Sequence, residues 1–233
     1  LPIVSFRYAS VGHGGASGYL ALMALFSFAP ESMKPTALLL NLFVAGISFY
    51  YYYKEGYFNK KLFIAFAMAS IPLAFLGGTL EVDASIYKKV LAVLLIFAIL
   101  KMLNVFGKES DNIKQIKLWQ GLVIGSVIGF FSGLIGIGGG IILTPVILLL
   151  HWGNMKEAAA VSALFIWVNS ASGLIGQLSS GVTLEKESFL LVAIAIIGGL
   201  FGGYFGSKKI NNQKLRYILA FVLSIASAKL FFT

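Results

Sequence analysis

The sequence predicts an all-α polytopic membrane protein made of two inverted repeats. Three observations lead to this prediction: charged residues are scarce, long stretches carry no charge, and the two halves share short motifs in the same order. Only 12% of the residues are charged and 58% are hydrophobic, with a mean hydropathy of +0.89. A soluble domain carries about 25% charged residues, so the composition favours lipid as the solvent.

Uncharged stretches of the length of a membrane helix recur along the chain. They cover residues 8–30, 35–53, 62–80, 118–155, 158–184 and 188–207, and residues 90–107 and 217–233 each contain a single lysine. A helix needs about 20 apolar residues to cross hydrocarbon, whereas barrel strands are alternating segments of about 10 residues. Because these stretches are long and apolar on every face, we predict helices.

Short motifs of the first half return about 125 positions later. Gly12-His13-Gly14-Gly15 resembles Gly136-Ile137-Gly138-Gly139, Leu76-Gly77-Gly78 matches Phe201-Gly202-Gly203, and Asn41 can be placed on Asn169. We therefore predict a duplication. Its units are a first membrane repeat at 1–106, a polar linker at 107–117 and a second membrane repeat at 118–233.

Each repeat is predicted to contain a glycine-broken re-entrant helical hairpin followed by three transmembrane helices. The hairpins cover about 1–29 and 118–152, and the spans about 34–54, 61–80, 85–106, 156–180, 187–208 and 213–232. Lysine and arginine bias short loops toward the cytoplasm. The loops at 54–61, 107–117 and 208–216 are basic and are predicted inside, while those at 81–89 and 185–187 are predicted outside. The predicted sides of successive loops alternate across the membrane only if each hairpin enters and leaves the membrane on the same side. Each repeat then crosses three times, which inverts the second relative to the first, as in many secondary transporters.

The second hairpin shows why a break is needed. Residues 118–155 carry no formal charge, and one straight helix of that length would measure about 57 Å, against a bilayer core of about 30 Å. The glycines at 136–140 are where the chain can bend. The N–H groups and dipole of the returning half-helix favour an anion. Close helix packing is the alternative role for these glycines.

Candidate substrate-binding residues are the glycines of the two bends and the polar or aromatic residues near them. They are Gly12, His13, Gly14, Gly15, Asn41, Gly138, Gly139, Gly140, Ser162, Trp167 and Asn169. An amide inside an apolar span can donate to an oxyanion or bridge two helices. His13 can carry a coupling proton or be merely polar. Trp167 can wall the site.

The residue inventory argues against several other functions. The chain has no cysteine, two histidines and no acidic residue in the middle of a span, so we predict no enzyme, no metal site and no cofactor. The net charge of +9 comes from lysines in short loops. Orientation in the membrane accounts for it, and it also suits an anionic substrate. The predicted partners are therefore a small anion and the lipid bilayer, with no nucleic acid.

Three features resemble the sulfite exporter TauE/SafE family. They are the duplicated halves, the element from Gly136 to Pro145, and the segment from Ala158 to Ser170. The resemblance implies export of sulfite or small organosulfur anions, such as sulfonates, across the bacterial inner membrane. The first half departs from the pattern, because His13 and Ala16 stand where Ile137 and Gly140 stand in the second.

The residues and the resemblance together predict a secondary transporter that works by alternating access. Two alternatives stay open from the sequence. One is an anion channel of the same fold, and the other is a membrane structural or assembly partner.

Overall fold

The computed structural model is all-helical and describes residues 1–26, 28, 30–80 and 113–232. In this part of the chain the helices are α1 Pro2–Ala9, α2 Ala16–Leu25, α3 Pro30–Lys54, α4 Lys60–Thr79, α5 Leu118–Ile135, α6 Gly140–Leu149, α7 Met155–Ser179, α8 Lys186–Tyr204 and α9 Asn212–Phe232. A π-helical turn, Phe205–Lys209, follows α8. The predicted span at 85–106 and most of the predicted linker lie outside the described residues.

Five helical stretches among the described residues are long and apolar enough to cross a membrane. They are Ser32–Lys54, Lys60–Thr79, Leu118–Ile135, Met155–Ser179 and Lys186–Lys209. The prediction of a helical chain with several membrane spans is therefore confirmed. The predicted span at 213–232 is also a helix, α9, although it is not one of these five. The apolar helix α6 has only 10 residues, too few to cross.

Side-chain caps fix where two of the long helices begin. Asn59 Oδ1 accepts a hydrogen bond from Leu62 N at 3.1 Å and starts α4. Asn154 Oδ1 accepts from the N–H groups of Lys156 and Glu157, and Glu157 Oε2 accepts from Asn154 N at 2.9 Å. This reciprocal pair is a capping box, which satisfies N–H groups that have no partner within the helix.

The chain leaves the helical conformation at both glycine clusters. The first break separates α1 from α2, and the second separates α5 from α6. Gly136 ends α5 with φ 82° and Gly139 precedes α6 with φ 79°. A residue with a Cβ is destabilised by about 1–2 kcal/mol in this left-handed conformation, so glycine permits the break that its clustering predicts.

Helices α3 and α7 lie against each other in the centre and run antiparallel. Asn41 of α3 lies beside Ser170 of α7. Further along α3, Gly46 lies beside the earlier residue Trp167, and further back along α3, Leu38 lies near the later Gly173. Along the shared axis, residue numbers therefore increase in α3 while they decrease in α7, so the two helices are antiparallel.

Glycine stripes let two further helix pairs approach closely, because small residues bring backbones together. A Cβ added to any glycine of these stripes would overlap the backbone of the facing helix. In α5 the stripe faces α4 and consists of Gly121, Gly125, Gly129 and Gly133. In α8 and the turn after it, the stripe faces α1 and the residue that follows α1, and consists of Gly198, Gly202 and Gly206.

Polar contacts gather three chain segments at one end of the bundle. Lys156 at the start of α7 donates to Tyr57 Oη at 3.1 Å and to the Ser207 carbonyl at 2.9 Å. Glu55 and Lys208 form an ion pair at 3.3 Å. The loop after α3, the start of α7 and the turn after α8 therefore meet at the same end.

Candidate functional site

The two helix breaks approach each other around the amide of Asn41. Asn41 is buried in α3, where its Oδ1 accepts a hydrogen bond from Ala16 N at 3.1 Å and its Nδ2 donates to Ser170 Oγ at 3.2 Å. A Cβ at Gly14 would overlap the Asn41 side chain, and one at Gly138 would lie 2.7 Å from Asn41 Nδ2. Glycine in each break thus makes room for the same amide.

A second polar cluster joins the breaks through His13. Its Nδ1 lies 3.0 Å from the Val11 carbonyl, and its Nε2 lies 2.9 Å from the Gly140 carbonyl at the start of α6. Thr144 Oγ1 lies 3.4 Å from the same Nε2 and donates its own hydrogen to Ser162 Oγ at 2.7 Å. His13 and Ser162, two of the predicted residues, therefore belong to one hydrogen-bonded cluster.

The backbone around the start of α6 has unused donors. Within the described part of the chain, the N–H groups of Gly138, Gly139, Gly140 and Ile141 donate no hydrogen bond. The N–H groups of Gly14 and Gly15 in the first break are likewise unused among the described residues. Free N–H groups at a helix N-terminus carry a partial positive charge and bind anions.

Three predicted glycines make packing contacts. A Cβ on Gly12 would overlap the Ala159 backbone of α7, and one on Gly139 would lie 3.0 Å from the Phe165 ring. Gly15 lies against the ring of Tyr19, whose hydroxyl donates to the Gly14 carbonyl at 2.6 Å. The side-chain space at these positions is taken up by neighbouring protein, as the packing alternative describes.

Trp167 does not join the buried clusters. It is 43% exposed, and its ring lies against Gly46 of α3. Asn169 is buried, but its Nδ2 donates to the Phe165 carbonyl of its own helix at 2.8 Å. Its Oδ1 has no hydrogen-bond partner within the described part of the chain. Exchanging the two amide atoms would set oxygen against the Phe165 carbonyl, so the hydrogen bond fixes the orientation.

Thr144 and Ser170 belong to the polar clusters but are not among the residues predicted from the sequence. Thr144 is the one hydroxyl residue within α6, and a lone threonine in an apolar half-helix is a signal for a polar contact. Ser170 lies two turns after Ser162 on the same face of α7. The helical period could have grouped these two serines.

The side chains of both clusters are closed to solvent, and none of them carries a formal charge when His13 is neutral. His13 is 1% exposed, and Asn41, Thr144, Ser162 and Ser170 are fully buried. Among the described residues, no group of three or more histidine, aspartate or glutamate side chains could hold a metal ion. The arrangement offers dipoles and N–H donors, which suit a small anion more than a cation.

Comparisons with known proteins give one family model and several relatives named as membrane transporters. The family model described as Sulfite exporter TauE/SafE matches residues 3–230. A probable membrane transporter protein of Sinorhizobium fredii is 37% identical over 98% of this chain and 94% of its own length. A probable membrane transporter protein of Methanocaldococcus jannaschii is 28% identical over 84% of this chain and 78% of its own length. No solved structure matches the chain.

Proposed function

The chain belongs to the sulfite exporter TauE/SafE family, and from this premise we propose that it exports a small sulfur-containing anion, sulfite or an organosulfonate, by alternating access. The family is one of membrane transporters rather than enzymes. The observation that carries the proposal is the meeting of two glycine breaks at one amide, Asn41, beside N–H groups that donate no hydrogen bond to the described part of the chain. The membrane in which it works is proposed to be the bacterial inner membrane.

The anion is proposed to lie at the start of α6. The N–H groups of Gly138 to Ile141 face it as the positive end of a helix dipole. Asn41 Nδ2 uses one of its two hydrogens on Ser170, which leaves the other for an oxyanion. Partial charges hold an ion without a fixed lysine or arginine, so the ion can also leave.

Asn169 and Ser162 are proposed as outer members of the site. Asn169 Nδ2 likewise has a second hydrogen beyond its bond to Phe165, and its Oδ1, which has no partner among the described residues, adds an acceptor. An anion that carries a proton, such as hydrogen sulfite, could use both groups. Ser162 accepts from Thr144 and keeps its own hydrogen for a ligand.

A carrier fits the closed site better than a channel does. Every side chain of the two polar clusters is buried, which supports an occluded state as one step of the proposed cycle. Alternating access requires such a state, whereas an open pore would line its path with exposed groups.

Inverted repeats are proposed as the basis of alternating access, and recurring contacts support them. Gly77 lies against the Phe130 carbonyl, and 125 positions later Gly202 lies against the Phe6 carbonyl. Gly203 likewise stands 125 positions after Gly78, so these two glycines are equivalent positions of the proposed repeats. A Cβ on Gly78 would overlap the Gly173 carbonyl, and one on Gly203 would lie 3.6 Å from the Ile47 carbonyl.

The direction of the central helices supports inversion rather than a parallel duplication. Helices α3 and α7 are repeat-related in the predicted scheme and run antiparallel. The loop after α3 contacts the start of α7 through Tyr57 and Lys156. Because α7 has 25 residues, its far end lies about 37 Å away. The loop after α7 therefore lies at the other end of the bundle.

The proposed substrate class can be tested with purified protein. Thermal stability would be measured with sulfite, sulfate, thiosulfate, small sulfonates, carboxylates and divalent metals, because a ligand of the folded state raises the melting temperature. The proposal expects a selective rise with sulfite or a sulfonate. No response to any anion, or a response to a metal alone, would remove the anion site from these breaks.

Transport assays then separate a carrier from a channel. Proteoliposomes loaded with the stabilising anion are expected to show saturable uptake and counterflow of labelled anion. Flux that does not saturate and shows no counterflow would favour the channel.

A further inference from the structure

Both ring nitrogens of His13 face hydrogen-bond acceptors. Nδ1 lies 3.0 Å from the Val11 carbonyl and Nε2 lies 2.9 Å from the Gly140 carbonyl. The other neighbour of Nε2 is Thr144 Oγ1, whose hydrogen is already donated to Ser162. Each nitrogen of His13 is thus met by oxygen lone pairs.

A neutral imidazole has one N–H and can satisfy only one of these acceptors. In that form, the lone pair of the other nitrogen points at a carbonyl oxygen and repels it. The imidazolium form has two N–H groups and satisfies both carbonyls. Burial opposes the charge, and the two carbonyls offset part of that effect by accepting from both N–H groups of the imidazolium.

We propose that His13 is a proton-binding site that latches the two helix breaks together. Val11 belongs to the first break and Gly140 begins α6 after the second, so the imidazolium ties one repeat to the other. Loss of the proton leaves one N–H for two carbonyls, and the tie is released when that N–H stays on Nδ1 and donates to Val11, so that the Nε2 lone pair repels the Gly140 carbonyl. The latch stands on the contacts of His13 alone, and its role in transport rests on the proposed function.

Other titratable side chains on the surrounding helices have partners away from His13. Among the described tyrosines, Tyr8 pairs with Ser17, Tyr19 with the Gly14 carbonyl and Tyr52 with the Ser10 carbonyl. Among the described charged side chains, Lys156 pairs with Tyr57, Glu157 with Asn154 N and Arg7 with the Phe221 ring, and Lys34 packs against Gly136. The pH dependence of the contact between the breaks is therefore assigned to His13.

Protonation can be read directly, because the chain has only two histidines. A His151→Asn variant with ¹⁵N-labelled histidine leaves a single ring to observe by NMR, and asparagine tolerates the positive φ of 57° at position 151. The latch expects both nitrogens to be protonated at the acidic end of the range in which the protein stays folded, and the neutral Nδ1–H tautomer to replace this form as the pH rises. A single neutral tautomer wherever the protein is folded would overturn it.

Movement of the breaks can be read by thiol labelling, because the chain contains no cysteine. Ser132 is buried, its hydroxyl has no partner within the described residues, and it lies next to Gly139. A Ser132→Cys variant would be alkylated at about pH 5 and about pH 8, the two ends of the ordinary titration range of histidine. A second variant adds His13→Gln, which keeps a donor for Gly140 but cannot titrate.

The thiol's own pH dependence is shared by both variants and cancels in their comparison. The latch expects alkylation to accelerate several-fold more between the two pH values when His13 is present than when it is replaced by glutamine. Equal acceleration in both would overturn the latch. Neither readout needs a substrate, so failure of the latch is distinct from failure of the proposed anion transport, which is judged by the ligand panel.

Discussion

Asn41 Nδ2 donates a hydrogen bond to Ser170 Oγ across 3.2 Å, and both side chains are fully buried. This bond joins α3 to α7 where the two helix breaks meet. The same amide accepts from Ala16 N through its oxygen. One side chain thus holds the start of α2 and the middle of α7 in a fixed relation, and the proposed anion site is built next to it.

Replacing Asn41 should therefore affect both stability and anion binding. Asn41→Ala leaves Ala16 N without its acceptor in a buried position, which costs about 1–3 kcal/mol, and it removes the proposed amide donor. We expect a lower melting temperature and no further rise on addition of the anion.

Ser170→Ala is the matched control for Asn41→Ala. It removes the same hydrogen bond but leaves the amide in place, and a typical hydrogen bond contributes about 0.5–1.5 kcal/mol. The anion response should persist in this variant. An unchanged anion response in Asn41→Ala would take Asn41 out of the site.

Gly138 is expected to tolerate no side chain. Gly138→Ala places a Cβ 2.7 Å from Asn41 Nδ2 and 2.9 Å from Ser170 Oγ, in addition to the strain of φ 75°. Gly56→Ala is the control, because Gly56 has φ 77° and no atom of the described structure lies within 4 Å of the added Cβ. Both variants bear a backbone strain of about 1–2 kcal/mol, and only Gly138→Ala should also lose anion binding. Equal melting temperatures and equal anion responses for the two variants would show that the contact with Asn41 is unimportant.

The helix ends and breaks could be read from the sequence because their causes are local. Asn59 and Asn154 cap the helices that follow them, and glycine at 136 and 139 supplies positive φ. Long apolar stretches predict membrane spans for a cause that is also local, because each helix satisfies the hydrogen-bonding groups of its own backbone.

Partners across the bundle could not be read in this way. The residues near Asn41 in the sequence do not predict its contact with Ser170, because that contact depends on how α3 and α7 pack. Trp167 illustrates a different limit. It is two positions from Asn169, which turns it about 200° around the helix at 3.6 residues per turn. Proximity in sequence suggested a shared site, but the helical period places Trp167 on an exposed face while Asn169 is buried.

Asn169 provides a test of the outer part of the site. Its only hydrogen bond in the described structure is to its own helix, so Asn169→Ala should leave a folded, monodisperse protein. We expect this variant to lose anion-induced stabilisation in the same ligand panel. Unchanged affinity for the anion would remove Asn169 from the site and leave it as a buried helical amide.

Gln177 is a buried amide whose two polar side-chain atoms have no hydrogen-bond partner within the described residues. It is only 4% exposed. A buried amide without hydrogen-bond partners destabilises the fold by about 1–3 kcal/mol, so Gln177→Leu should raise the melting temperature by about 2–12 °C for a chain of this size.

The exposed Gln213 offers the control for Gln177, because Gln213→Leu removes a solvated amide and should change the melting temperature little. Slower anion transport in a more stable Gln177→Leu protein would assign Gln177 to the path of the anion. A lower melting temperature than that of the unmodified chain would contradict the prediction.

Inversion of the repeats predicts that Gly56 and Gly181 lie on opposite sides of the membrane. They stand 125 positions apart, follow α3 and α7, and have φ values of 77° and 90°. Among the described residues, no atom would lie within 4 Å of a Cβ added at either position. Gly56→Cys and Gly181→Cys are therefore matched in backbone strain and openness, and each would carry the only thiol in the chain.

A membrane-impermeant maleimide applied to intact cells should label Gly181→Cys, because the acidic loop at 185–187 is predicted outside. Gly56→Cys, in the loop with Lys54, Lys60 and Lys61, should be labelled only after the membrane is permeabilised. Labelling of both in intact cells, or of neither, would mean a parallel duplication. Labelling of Gly56→Cys alone would keep the inversion but reverse the assigned sides. The antiparallel packing of α3 and α7 makes opposite sides the expected result, because two ends of one membrane-length helix cannot share a surface.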